Sequence, residues 1–78
     1  MLLLLPLFAV AMRGYCGDDW LAYHNASVQT VHEGQQSCAA ACRVFEACEH
    51  ASWHPSSQEC RFSRGTCVRR SCVSCAIV

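Results

Sequence analysis

The amino-acid sequence predicts a small α+β domain, with one helix packed on a short antiparallel sheet and the whole stapled by disulfides. Three observations carry that prediction. The 78-residue chain holds eight cysteines, a density at the roughly 10% level that marks a disulfide scaffold. Cys38, Ala41, Cys42 and Phe45 recur at i, i+3, i+4 and i+7, which places them on one face of a helix. Two alternating runs, 51–54 and 60–63, flank Pro55-Ser56-Ser57-Gln58. Proline pre-sets φ for a turn and cannot extend a ladder, so the pair reads as a hairpin.

Length makes the staples necessary. A chain this short buries only about 60% of the surface its unfolded form exposes, so an apolar core alone leaves it marginal. An even number of cysteines allows every one to pair, and pairing needs an oxidising route. The N-terminus fits such a route. Residues 2–12 carry no charge and are nearly all apolar. A helix needs about 20 residues to span a bilayer, so this run is too short. It matches the apolar region of a signal peptide, and Ala9-Val10-Ala11 has the small-x-small pattern of a cleavage site. Residues 1–11 are therefore expected to be a signal peptide and 12–78 the secreted domain. The competing reading is a buried strand or helix of the mature fold. Asn25-Ala26-Ser27 is an acceptor sequon for N-glycosylation at Asn25.

Residues 12–32 look irregular or extended. Gly14 and Gly17 flank Cys16, and Trp20, Leu21 and Tyr23 can supply apolar area to a first strand. Val28 and Val31 suggest another short extended piece. The helix is expected over 35–46, where Ala39, Ala40 and Ala41 are strong helix formers. Thr30 and Glu33 have capping-box spacing, but Gly34 argues for a start after it. The hairpin is expected over 48–63, with Ala51 and Trp53 alternating with polar Ser52 and His54. Arg64-Gly65-Thr66 reads as a turn, and 67–78 show no clear period.

The centre of the chain reads Cys38-x3-Cys42-x5-Cys48-x11-Cys60. A helix laid on a hairpin can be stapled twice with these four. Cys48 follows the helix end closely, so the nearer helical cysteine reaches it more easily. That favours a nested pairing, Cys42–Cys48 inside Cys38–Cys60. Together with Ala51, Trp53 and Glu59-Cys60-Arg61-Phe62, the pattern resembles the PAN/Apple domain family. That family carries a helix with C-x3-C, a third cysteine opening a strand and a fourth on the next strand. The likeness covers about residues 16–67. It implies the same nested pair and a bridge between the two ends of the domain, from Cys16 to one of Cys67, Cys72 or Cys75. Cys16–Cys67 with Cys72–Cys75 is the expected completion, and a bridge from Cys72 or Cys75 to Cys16 or Cys67 is the alternative. Ala51 stands where the family has a larger residue, and Cys72-Val73-Ser74-Cys75 lies outside the pattern.

Catalytic and metal chemistries are poorly supported. His24, His32, His50 and His54 join the cysteines, but no zinc-ligand spacing of the finger type is present. The histidines read as solvent-exposed. Cys72-x-x-Cys75 lacks the strand and following helix of a thioredoxin-like motif and reads as structural. Asp18 and Asp19, adjacent on a strand, would point to opposite faces. There is no phosphate-binding glycine loop, zinc-protease motif or nucleophile elbow. No enzyme activity, cofactor or metal is expected.

Charge is more informative. Net charge is zero, which disfavours a nucleic-acid partner. Yet Arg61, Arg64, Arg69 and Arg70 all follow Glu59, the last acidic residue. Arginine forks match the oxygens of sulfate and phosphate, and some PAN-type modules bind heparin and other glycans, so the resemblance adds weight here. Trp20 can stack on a sugar or anchor a protein, whereas Trp53 reads as core. The expected function is a secreted binding module for an extracellular protein or carbohydrate, with binding residues Arg61, Arg64, Arg69, Arg70 and Trp20. A secreted structural or toxin-like miniprotein is the alternative, and a redox or zinc protein using the tail cysteines is the third reading.

Overall fold

The computed structural model describes residues 12–78; the expected signal peptide lies outside the described residues. The elements run β1 (Met12–Arg13), β2 (Tyr15–Cys16), β3 (Asp19–His24), α1 (Val31–Val44), β4 (His50–His54), β5 (Glu59–Ser63), β6 (Arg69–Arg70) and β7 (Ala76–Ile77). Five strands form one sheet in the order β1-β7-β4-β5-β3, and β2 and β6 form a separate ribbon. Every pairing is antiparallel. This is the small disulfide-rich α+β fold, one helix on a short antiparallel sheet.

The hairpin forms because Pro55 stops β4 and the next three residues turn the chain. Gln58 takes φ 52° in that turn, and its side chain donates to Val28 O at 3.0 Å. Trp53 then faces Cys60, and Ala51 faces Phe62. These four side chains, with Cys38 from α1, are the buried core. Leu21 and Tyr23 of β3 pack against it from the sheet edge. A bulge between Asp19 and Leu21 inserts Trp20 as an extra residue. The bulge turns the Trp20 ring toward the helix, 5.6 Å from Phe45 and 6.3 Å from Phe62.

The helix starts four residues earlier than expected and ends two earlier, at Val44. Thr30 is the N-cap: its hydroxyl accepts from Glu33 N at 3.1 Å, and the Glu33 carboxylate accepts from Thr30 N at 3.2 Å. Two of the otherwise unpaired donors of the helix start are satisfied this way. Val31 is consequently the first helical residue, not part of an extended piece. Gly34 does not delay the helix, because its role is contact: a Cβ there would overlap the indole of Trp53. At the other end Phe45 leaves the helical conformation, with φ −96° and ψ 107°, while its N–H still bonds Ala41 O and Cys42 O.

The expected outward-facing polar positions of β4 are buried, with Ser52 2% and His54 6% exposed. Alternation holds, but the second face is covered too. β4 lies in the middle of the sheet, and the β2–β6 ribbon and the tail fold over the side away from the helix. There the Tyr15 ring centroid sits 5.2 Å from that of His54. The tail, which has no readable period, supplies β6 and β7. β7 fits between β1 and β4, and Val78 N reaches Ala51 O at 2.9 Å.

Four disulfides join these layers: Cys16–Cys67, Cys38–Cys60, Cys42–Cys48 and Cys72–Cys75. The middle two clamp the helix, one to β5 and one to the segment entering β4. The first ties β2 to the segment entering β6, and the last closes a turn in the tail.

Candidate functional site

The four arginines after Glu59 do not converge. Arg61 projects from β5 on the face away from the helix, since its neighbours Cys60 and Phe62 face inward. Its guanidinium pairs with Glu59 at 2.9 Å and Asp19 at 3.4 Å. The hydrogen bond from Arg61 holds the Glu59 carboxyl below its usual range, and the same bond raises Arg61. Two carboxylates thus neutralise this side chain. Arg64 lies elsewhere, 4.9 Å over the ring of Trp20, a cation–π geometry. Trp20 and Phe45 are 38% and 41% exposed and Val44 is exposed beside them. Arg64 therefore caps an aromatic surface at the C-terminal end of α1.

Arg69 and Arg70 occupy a third location. β6 pairs with β2 in the register Tyr15↔Arg70 and Cys16↔Arg69. Both arginines lie across glycines: a Cβ at Gly17 would collide with the Arg70 side chain, and one at Gly14 with Arg70 O and the Arg69 stem. Gly14 also has φ 116°, where any side chain is strained. Their long stems therefore rest on backbone. Arg13 of β1 joins them, and with Ser71, Cys72 and Val73 they line a surface groove of about 300 Å³. Among the described residues both ion pairs belong to Arg61, so Arg13, Arg69 and Arg70 face solvent without a carboxylate partner. Sequence reasoning missed Arg13, since nothing in a two-residue strand so far from the tail announces the juxtaposition.

The histidines separate in the same way. His32 is exposed. His24 Nδ1 contacts Ser57 O at 3.0 Å, and His50 Nε2 contacts Gly65 O at 2.7 Å. His54, expected at the surface, is buried between Ser52 Oγ at 3.0 Å and Cys75 Sγ at 3.3 Å. Burial first, and then the charge of Arg61, pushes its pKa down. No group of three or more His, Cys, Asp or Glu side chains among the described residues is placed to hold a metal ion. No helix among them is long and apolar enough to cross a membrane. Asn25, the sequon residue, is half-buried, with Nδ2 donating to Ser37 Oγ at 3.2 Å and Oδ1 accepting from Ser27 Oγ at 2.7 Å.

Chemically, the molecule offers a neutralised arginine, an aromatic patch capped by another and a groove whose lining includes Arg13, Arg69 and Arg70. Comparison with known proteins adds no relative: no family model, no curated protein and no solved structure matches the chain.

Proposed function

We propose that the chain is a secreted binding module of PAN/Apple type whose partner is a sulfated or otherwise anionic carbohydrate. The observation that supports it is the groove lined in part by Arg13, Arg69 and Arg70, which form no ion pair among the described residues. Preplaced arginine forks bind sulfate oxygens by paired, charge-assisted hydrogen bonds. The glycines under Arg69 and Arg70 limit the freedom those side chains lose on binding. Four disulfides and the absence of a membrane-spanning helix among the described residues are compatible with an extracellular setting.

The test is retention on immobilised heparin. The oxidised protein is expected to bind at low salt and to elute as rising salt screens the charges. Replacing Arg13, Arg69 and Arg70 with alanine should weaken binding about tenfold or more, since each charge-assisted hydrogen bond contributes about 1.5–3 kcal/mol. Arg61→Gln should elute with the wild type, because that arginine is already paired. No retention at low salt would remove the reading. Loss of binding in Trp20→Ala with the groove variant unaffected would move the partner surface to the aromatic patch.

A further inference from the structure

The tail bridge differs from the other three. Cys72 and Cys75 lie three positions apart in the sequence, against separations of 51, 22 and 6 elsewhere. A loop that short constrains the unfolded chain least, so opening it sacrifices least stability. Its two sulfurs also have unlike surroundings. Cys72 is half-buried in the wall of the arginine groove. Cys75 is buried, 4% exposed, with its Sγ 3.3 Å from His54 Nδ1. A bridged sulfur has no proton to give, so in this contact Nδ1 carries the hydrogen and Nε2 accepts from the Ser52 hydroxyl. Burial keeps that ring neutral near neutral pH.

We propose that Cys72–Cys75 is a thiol–disulfide exchange site, opened by a carboxylate-bearing low-molecular-mass thiol that attacks Cys72 and expels the Cys75 sulfur toward His54. The incoming thiolate bonds to Sγ of Cys72, the half-buried partner that lines the groove, whereas Cys75 is buried. The Cys72–Cys75 bond breaks and its electron pair leaves on Cys75 Sγ. His54 Nδ1–H hydrogen-bonds that thiolate as it forms, and the proton lost by the incoming thiol returns to it through solvent. A second thiol molecule then displaces Cys72 from the mixed disulfide. Two external thiols are oxidised to one disulfide, and the bridge is reduced to two cysteine thiols. Stabilising the leaving thiolate speeds such exchange. The charges of Arg13, Arg69 and Arg70 attract the carboxylates of the attacking molecule and favour the thiolate of Cys72 once released.

The other bridges lack this combination. Cys38 and Cys60 are both wholly buried. No imidazole contacts a sulfur of Cys42–Cys48 or Cys16–Cys67 among the described residues. The exchange reading does not depend on glycan binding, and either can fail alone.

The experiment exposes the oxidised full chain to glutathione, quenches samples with acid, alkylates free thiols and maps them by mass spectrometry. Cys72 and Cys75 should become alkylated about tenfold sooner than the other six cysteines. The trapped glutathione adduct should sit on Cys72, and the β-sheet circular dichroism should be unchanged. His54→Gln should slow the opening about threefold or more by removing the imidazole donor at the leaving sulfur. The wild-type result decides the site whether or not that variant folds. The proposal is overturned if another bridge opens first, if all four open together, or if the adduct forms on Cys75. A folded His54→Gln protein that opens at the wild-type rate overturns the role of the histidine.

Discussion

Replacing Cys38 and Cys60 together with alanine should remove about 4 kcal/mol of stability, the upper part of the usual range for a native disulfide in a small secreted domain. Two effects add. The bridge spans a separation of 22 residues, so its loss releases substantial chain entropy in the unfolded state. Both sulfurs are fully buried between α1 and β5, so their removal also leaves a void in a close-packed core. A domain of this length has roughly 3–10 kcal/mol in total, and the variant is expected to be largely unfolded at physiological temperature. Denaturant melts followed by circular dichroism read this directly. Cys72 and Cys75 replaced by serine serve as the contrast, with a loss of at most about 2 kcal/mol from the shorter loop. Equal melting midpoints for the two double variants would contradict the assignment of the clasp.

Gly34→Ala should also destabilise the fold, against the usual direction. In a helix interior alanine is favoured over glycine by about 1 kcal/mol, so propensity alone predicts a gain. Gly34, however, is buried under Trp53, and the new methyl would overlap three atoms of the indole, Cε2, Cζ2 and Nε1. Trp53 is 1% exposed and held between Cys38, Ala51 and Phe62, so the ring has nowhere to retreat. Overpacking of this kind typically costs about 1–3 kcal/mol and occasionally more. A net loss of about 1–2 kcal/mol is expected after the propensity gain is subtracted, since an overlap with three ring atoms belongs at the upper end of that cost. The indole N–H is already buried without an acceptor, which marks how tightly backbone and ring meet here. A rise in the melting midpoint would show that helix and hairpin are less closely packed.

Parts of this fold are legible in the sequence for identifiable reasons. Cys38, Ala41, Cys42 and Phe45 repeat with the helical period because α1 lies on the sheet along that stripe. Ala51 and Trp53, opposite Phe62 and Cys60, alternate because β4 and β5 direct one face at the same core. Where two rules compete, local reading fails. Gly34 reads as a helix breaker, yet the Thr30–Glu33 box nucleates the helix ahead of it and tertiary contact explains the glycine. Ser52 and His54 read as a solvent face because polarity alternates, while the cover over that face comes from Tyr15 and Cys75, distant along the chain.

The candidate site is less legible than the fold. Arg61, Arg64, Arg69 and Arg70 look like one basic run, but β5, the following turn and β6 send them to three places. Asp19 reaches Arg61 only through the β3–β5 pairing. Arg13 reaches the groove through β1, whose two residues pair with β7 and carry no period. Strands this short have no sequence signature, so a site built on them emerges only from the tertiary arrangement.

The central claim is the helix–hairpin clasp within a four-bridge framework, and disulfide mapping of the oxidised protein tests it most directly. Cleavage after arginine should leave 14–43, 44–61 and 65–69 linked and release 71–78 as a separate peptide, lighter than its dithiol form by the two thiol hydrogens. Partial reduction with stepwise alkylation should then resolve Cys42–Cys48 inside Cys38–Cys60, with Cys16 on Cys67. Crossed pairs, Cys38–Cys48 with Cys42–Cys60, or four or more free thiols in the folded protein, would contradict the account.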